Sequence, residues 1–423
     1  MYYSEEEVIQ YIQENDVRFI KLFFTDFYGA IKSISIQPTE LGKAFSQGIS
    51  FDASAVNGFM GVTKSDLFIV PDPTTLCVLP WRPQQGRVVR FFCHIRHMDG
   101  TPFVADTRKM LANLVNEQRK KGLEFKIGTA CEFYLFKCDE KGDPTTIPYD
   151  NAGYCDLAPR DKGENVRREI CLTLEQMGVP PECSYHEKGP GQNEVDFRHD
   201  DALNAADNLQ TFKIVVKTIA ARNGLFASFL PKPLANKAGN GLHISISITK
   251  NGKNLVEEGE KSEEYKSFLA GILARAKEMA PFLNPLPNSY SRLGEYEAPG
   301  YISWSHENKG QFIRIPAATG DAARIELRSP DTAGNPYLDI YLILCAGLEG
   351  IEKKLELPPE VDIDFYRASG DQLRDMESLP HSLAEAVKYA QKGDFIKKYL
   401  PYEVVDFFNS PENHVSDPEF GEF

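Results

Sequence analysis

Leu242-His243-Ile244-Ser245-Ile246-Ser247-Ile248 alternates between aliphatic and polar residues without a break. Side chains of a strand point to opposite faces with a period of two, so the four aliphatics share one face and His243, Ser245 and Ser247 the other. The first face calls for a covering layer, the second for a cleft or solvent. Arg324-Ile325-Glu326-Leu327-Arg328 repeats the pattern, with two guanidinium groups and a carboxylate on one side. A solvated strand face reads the same way, but two such strands in one unit favour a polar cleft. Ala130-Cys131-Glu132-Phe133-Tyr134-Leu135-Phe136 is an apolar strand in which an unpaired carboxylate is costly to bury, so Glu132 calls for a cation. Glu187 and Glu194 bracket a Gly189-Pro190-Gly191 turn and can converge on one ion. Oxygen donors of this kind suit Mg²⁺ or Mn²⁺ rather than zinc. Surface carboxylates are the plain alternative, for Glu187 above all.

Around these strands the chain alternates strand and amphipathic helix. Helical periodicity covers Arg108 to Lys121, with Asp106 as cap, then Asn165 to Met177, Ala202 to Ala221, Glu263 to Ala280 and Tyr337 to Leu355. Strands are expected at Lys126 to Phe136, Tyr185 to Phe197, Leu225 to Leu230, Leu242 to Ile248, Gln311 to Pro316 and Arg324 to Arg328. Before Asp99-Gly100 the chain is β-rich. Val17 to Phe24 and Ile31 to Ile36 flank the turn Asp26-Phe27-Tyr28-Gly29 and read as a hairpin. Leu67 to Val70 and Arg87 to Ile95 add strands, and Gly48 to Ser65 reads as a long irregular segment. The expected organisation is thus a small unit, 1–100, and a large one, 101–423. Periodicity fades from Leu357 to Pro380, and the end, with Pro418 and Gly421, reads as a frayed tail.

The 423 residues carry 47 basic and 61 acidic side chains, a net charge of -14. Such a chain is repelled by nucleic-acid phosphates and anionic lipid, which leaves small molecules as the expected partners. Met1 to Gln10 has no apolar export core, and Tyr337 to Leu348 is too short to span a bilayer and contains Asp339. The eight cysteines form no ligand-like pairs and read as reduced thiols of a cytoplasmic protein.

Further segments carry a family resemblance. In the first unit they are Phe51-Asp52-Ala53-Ser54, Lys64-Ser65-Asp66-Leu67 and Val70-Pro71-Asp72. In the second they are Cys131 to Phe136, His186-Glu187, Gly191-Gln192-Asn193-Glu194, Gly239-Asn240-Gly241-Leu242-His243 and Asn288-Ser289-Tyr290, then Tyr296-Glu297-Ala298-Pro299, Ile313-Arg314-Ile315-Pro316 and Arg324 to Arg328. In this order they resemble type I glutamine synthetase, over nearly the whole chain. The resemblance implies an α+β fold, a small N-terminal β-grasp domain followed by a large glutamine-synthetase-type catalytic α/β barrel domain. It also implies a dodecamer of two hexameric rings with active sites shared between subunits, and an ATP-dependent ligase that joins glutamate and ammonium through a γ-glutamyl phosphate.

By resemblance, Glu132, Glu187 and Glu194 would hold one divalent ion, and His243 and Glu326 a second that bridges ATP phosphates. Arg314, Arg324 and Lys309 would face the transferring phosphoryl group, while Arg292 and Arg328, with Gly239, would receive the substrate carboxylates. Glu297 and a neighbouring subunit's Asp52 would form the ammonium pocket. Phe197, Ser245 and Ser247 would meet the nucleotide. The sequence departs from the family at Ala130, where a glutamate ligand is usual, at Lys309, usually arginine, at Ser245, often histidine, and at Ala55, where a second serine is expected. These departures keep two alternatives open: a γ-glutamyl ligase for another amine, and a catalytically weakened homologue with a binding or regulatory role. Leu355 stands before Leu357-Pro358-Pro359-Glu360 where adenylylated members carry tyrosine, and the spacing of Glu187 and Glu194 matches the shorter variant, so no adenylylation is expected.

Overall fold

The computed structural model describes residues 3–56, 58–59 and 65–409. Residues 57 and 60–64 of the segment expected to be irregular, Lys64 of the second quoted motif among them, and the tail with Pro418 and Gly421 lie outside the described residues. The first sheet has six strands: β1 (Val17–Thr25), β2 (Ile31–Ile36), β3 (Ile49–Asp52), β4 (Asp66–Pro71), β5 (Cys77–Val78) and β6 (Arg87–Arg96). Its order is β2-β1-β6-β4-β3, with β5 against β6. The expected hairpin is present, pairing Ile20 with Ile36 through Thr25 with Ile31. Several elements go beyond the sequence expectation, helix Leu41–Ser46 and β5 among them. Helix Glu5–Glu14 is started by a capping box between Ser4 and Glu7. Strand β3 occupies the start of the segment expected to be irregular, because pairing with β4 from Ile49↔Ile69 to Asp52↔Asp66 supplies order that four residues do not signal alone.

The second sheet has eleven strands, β7 (Leu123–Cys138), β8 (Pro144–Pro148), β9 (Pro181–His186), β10 (Gln192–Phe197), β11 (Asp200–Asp201), β12 (Leu225–Ser228), β13 (Leu242–Lys250), β14 (Lys253–Asn254), β15 (Trp304–His306), β16 (Ile313–Ile315) and β17 (Ile325–Leu327). Its spine runs β15-β16-β17-β13-β7-β10-β9. The single strand expected from Tyr185 to Phe197 is two, β9 and β10, which pair antiparallel across the Gly-Pro-Gly turn. The long strand β7 anchors the sheet, pairing with β10 on one side and β13 on the other.

Helices cover the apolar face. On β13, Leu242, Ile244, Ile246 and Ile248 are at most 1% exposed, each contributing roughly 1.5–3 kcal/mol of burial. Helix Ala202–Arg222 packs on β7 and β12, and helices Glu263–Leu283 and Pro336–Lys353 pack closely on each other. That crossing depends on glycine: a Cβ at Gly271 would lie 2.2 Å from the Ala346 carbonyl oxygen, and one at Gly350 2.0 Å from that of Ser267.

Buried polar side chains fasten the two sheets together. Arg108, 3% exposed, donates to Asp207 at 2.9 and 2.7 Å and to Asp72, after β4, at 3.0 Å. Asn335 donates to the Phe27 carbonyl at 2.9 Å and to Thr107 Oγ1 at 3.1 Å, and its Oδ1 accepts from the Tyr337 amide. The chain thus folds as a small β-rich N-terminal unit followed by a large α/β unit, the α+β order expected. No helix among the described residues is long and apolar enough to cross a membrane.

Candidate active site

The polar face of the second sheet forms the wall of a cleft of about 260 Å³. Strand register decides what lies there. Glu194 on β10 faces Glu132 on β7, and two residues along, Asp196 faces Ala130. On the other flank of β7, His243 also faces Ala130. Ser245 pairs with Glu326, which pairs in turn with Arg314 on β16. Because the period is two, all these side chains share one face.

The acidic end holds Glu132, Glu187 and Glu194, each offering an oxygen within 4.8 Å of the others. Glu132 is anchored by the Gly241 amide at 2.7 Å and by Gln192 at 3.2 Å. Tyr185 donates to Glu194 at 2.6 Å, and the Lys188 amide to Glu187 at 2.9 Å. Burial, reinforced by the Glu132 charge, pushes Glu187 up to about 7 and Glu194 well above the usual carboxylate range. Burial also raises Glu132, against the Gly241 hydrogen bond and the charge of Arg292. Three such groups cannot all ionise side by side without a cation, so this all-oxygen donor set fits Mg²⁺ or Mn²⁺. His243 is held well below its ordinary pKa by burial and then by Arg328 and Arg292, which leaves a neutral imidazole suited to ligation.

The other end of the cleft is basic. Arg292, 3% exposed, donates to the backbone carbonyls of Ser329 and Arg328 at 2.9 and 3.1 Å. Arg314 and Arg328 both reach Glu326, at 3.0 and 2.5 Å. Arg324 and Lys309 line the same wall, with Gly239 and Phe197 nearby. A Cβ at Gly239 would lie 2.4 Å from the Pro231 carbonyl oxygen, so the backbone there admits no side chain without shifting. Glu297 and Tyr296 come from a loop with both residues at positive φ, +71° and +47°. Lys188 pairs with Glu297 at 2.7 Å.

Not every expected residue is on this wall. Ser247 is 4% exposed and donates its hydroxyl to the Ala323 carbonyl at 2.9 Å, so it braces β13 instead of lining the cleft. Asp52 is exposed and lies outside the lining of its own chain's cleft. Conversely, Tyr185, Lys188, Asp196 and His199 line it without having been singled out. The Glu-x-Asp alternation at 194 and 196 was the available signal for Asp196.

A second group of ligand-type residues, Asp150, Asp161 and His186, lies just behind. His186 sits between two acceptors, the Glu187 carbonyl at 2.6 Å and Asp150 at 2.9 Å, an arrangement that favours the protonated ring. Burial lowers its pKa, but these hydrogen bonds outweigh it and hold it above the ordinary value. Arg167 neutralises Asp161. This is an ion-pair network supporting the Glu187 backbone, in which the carboxylates of Asp150 and Asp161 already accept from backbone amides, His186 and Arg167.

The comparisons agree with this geometry. The family described as glutamine synthetase, beta-Grasp domain, matches residues 16–98, and glutamine synthetase, catalytic domain, matches residues 104–414. A glutamine synthetase of Clostridium saccharobutylicum is 44% identical over 405 residues, covering 94% of this chain and 91% of its own. One from Staphylococcus aureus is 41% identical over 418 residues, covering 96% and 94%. Among solved structures, one described as a GmaS/ADP complex has a TM-score of 0.85 at 31% identity, covering 95% of this chain and 94% of its own. Plasmodium falciparum glutamine synthetase shares the fold, with a TM-score of 0.85 at 24% identity over 97% of this chain and 95% of its own. Two family domains in sequence, carboxylates gathered opposite guanidinium groups, and relatives aligned almost end to end lead to one conclusion: the chain belongs to the glutamine synthetase family of ligases.

Proposed function

We propose that the protein condenses glutamate with ammonium, using ATP to form a γ-glutamyl phosphate that ammonia then attacks, with phosphate leaving. The observation that carries this reading is the cleft's division of charge, a triad of carboxylates on one side and Arg292, Arg314, Arg324, Arg328 and Lys309 on the other. Glu132, Glu187 and Glu194 would hold one divalent ion, and His243 and Glu326 a nucleotide-side one. Bound there, Mg²⁺ or Mn²⁺ supplies Lewis-acid neutralisation of phosphate charge. Arg292 and Arg328 orient the substrate's carboxylates, and Arg314, Arg324 and Lys309 stabilise the phosphoryl group in transit. Glu297, on its strained loop, shields the intermediate from water and accepts a proton from ammonium. Phe197 and Ser245, both on the lining, meet the nucleotide. Asp52 completes the ammonium pocket from an adjacent copy in a ring oligomer.

The test is formation of glutamine and ADP with Mg²⁺ or Mn²⁺. Product requiring both glutamate and ammonium supports the reading; ATP hydrolysis indifferent to both overturns it. Ala130 and Lys309 favour a second reading, a weakened homologue retained for binding, which predicts nucleotide uptake with negligible turnover.

A further inference from the structure

Between helices Pro336–Lys353 and Leu383–Lys392 the chain runs largely without regular structure, as a strap in the region where sequence periodicity fades. Several of its anchors lie on segments that border the cleft. Trp304 Nε1 donates to the Pro358 carbonyl at 2.8 Å, and the Val361 amide to the Trp304 carbonyl at 3.0 Å. Asn308 donates to Asp362 and to the Ile363 carbonyl, both at 3.1 Å, and Gln311 donates to the same carbonyl at 3.4 Å. The strap is thereby fixed to the turn 306–311, which carries Lys309.

Tyr366 reaches from this strap to the loop carrying Glu297. Its hydroxyl donates to the Ala298 carbonyl at 3.0 Å, one residue past Glu297. Its ring lies beside Gly310, where an added Cβ would stand 3.6 Å from Cε2. One side chain thus touches both the Glu297 loop and the Lys309 turn. The residue is 46% exposed, so it adds little to the core and what it holds is local. Tyr296 and Glu297, at positive φ, keep a conformation that such residues adopt only where their surroundings impose it. Before Glu297 the loop is tied by Tyr296, whose hydroxyl donates to the Asn236 carbonyl at 2.9 Å, and by Glu295, which pairs with Lys232 at 2.6 Å. Just past Glu297 the tie is Tyr366. Burial, and then the Glu297 charge, push its phenol up to about 12, so it keeps its proton and remains a donor.

We propose that Tyr366 is a positioning residue that fixes the Glu297 carboxylate relative to Lys309, keeping the proton acceptor for ammonium in register with a cation that faces the phosphoryl group. The proposal rests on the roles of Glu297 and Lys309 in the reading above. Without this tie Glu297 is poorly placed to receive ammonium, and the acyl phosphate is open to water. Water then attacks the γ-carbonyl carbon in place of ammonia, the bond from that carbon to the phosphate oxygen breaks, and glutamate and phosphate are returned for each ATP consumed.

The experiment is steady-state kinetics of Tyr366→Phe, which removes the hydroxyl and keeps the ring, with glutamine and phosphate measured in parallel at varied ammonium, glutamate and ATP. The KM for ammonium is expected to rise about fivefold, the loss of one hydrogen bond, and the phosphate released per glutamine to rise with it. The KM values for ATP and glutamate and the unfolding temperature should match wild type. Tyr366→Leu, which also takes the ring from beside Gly310, should add a fall in kcat. Arg367→Ala, the next residue in the strap and paired at the surface with Asp364 at 3.5 Å, should behave as wild type. An unchanged ammonium KM in Tyr366→Phe, an equal rise in all three KM values, or the same effect from Arg367→Ala overturns the role of Tyr366. An unchanged kcat in Tyr366→Leu overturns its link to Lys309. ATP hydrolysis by wild type that is indifferent to glutamate and ammonium overturns the underlying reading instead.

Discussion

Lys188 and Glu297 form an ion pair at 2.7 Å that joins the turn bearing a metal-ligand candidate to the strained loop on the other side of the cleft. The side chains are 41% and 40% exposed, so the pair is weak in water and easily exchanged. In the proposed reaction, the Lys188 ammonium group occupies the position on Glu297 that the substrate ammonium must take.

Lys188→Met is therefore expected to lower the KM for ammonium, by no more than about fivefold, the ceiling set by an exposed pair worth up to ~1 kcal/mol. Phosphate release without glutamine formation should rise, because the loop is no longer tied down. Parallel assays of phosphate and glutamine across ammonium concentrations check both effects.

Lys309→Arg is expected to raise kcat by about fivefold, the equivalent of one additional hydrogen bond of ~1 kcal/mol from a planar fork to a phosphate oxygen. A steady-state assay at saturating substrates reads the change, and an unaltered kcat would show that Lys309 does not contact the phosphoryl group.

The acid triad makes stability depend on pH and metal together. Glu187 is raised to about 7 from an ordinary value near 4.5. A carboxylate raised on folding favours the folded state below its unfolded pKa, and that contribution is lost as pH rises through the folded value. The metal-free protein should thus lose this contribution between about pH 4.5 and 7. Mn²⁺, which binds the ionised carboxylates, should raise the unfolding temperature more at pH 8 than at pH 6. Thermal melts with and without chelator check the sign.

Arg108→Ala leaves Asp207 and Asp72 without their shared cation and should cost about 3–5 kcal/mol. Chemical denaturation should show a lower midpoint, with Arg108→Lys recovering part of it.

The sequence made the hairpin legible because Val17 to Thr25 and Ile31 to Ile36 are long β-rich runs on either side of turn residues. It made β13 and β17 legible because their alternation is strict. Strand β3 escaped, since Ile49 to Asp52 carries a meaningful pattern only once β4 is beside it. Ser247 shares the parity of His243 and Ser245 but lies further along β13, where the Ala323 carbonyl closes over it. Periodicity gives a side chain's face and not its depth. Asp196 and Tyr185 were hidden for a related reason. Their significance comes from cross-strand neighbours, Ala130 and Glu194, far away in the chain.

Asn335 reads three segments at once, the hairpin turn at Phe27, the helix start at Thr107 and the amide of Tyr337. Any rotation of the small domain against the large one would break that side chain's bonds together, along with those of Arg108. The seam between the domains is thus poorly suited to act as a hinge, and rearrangement during a catalytic cycle falls instead to short surface excursions such as the loop carrying Tyr296 and Glu297.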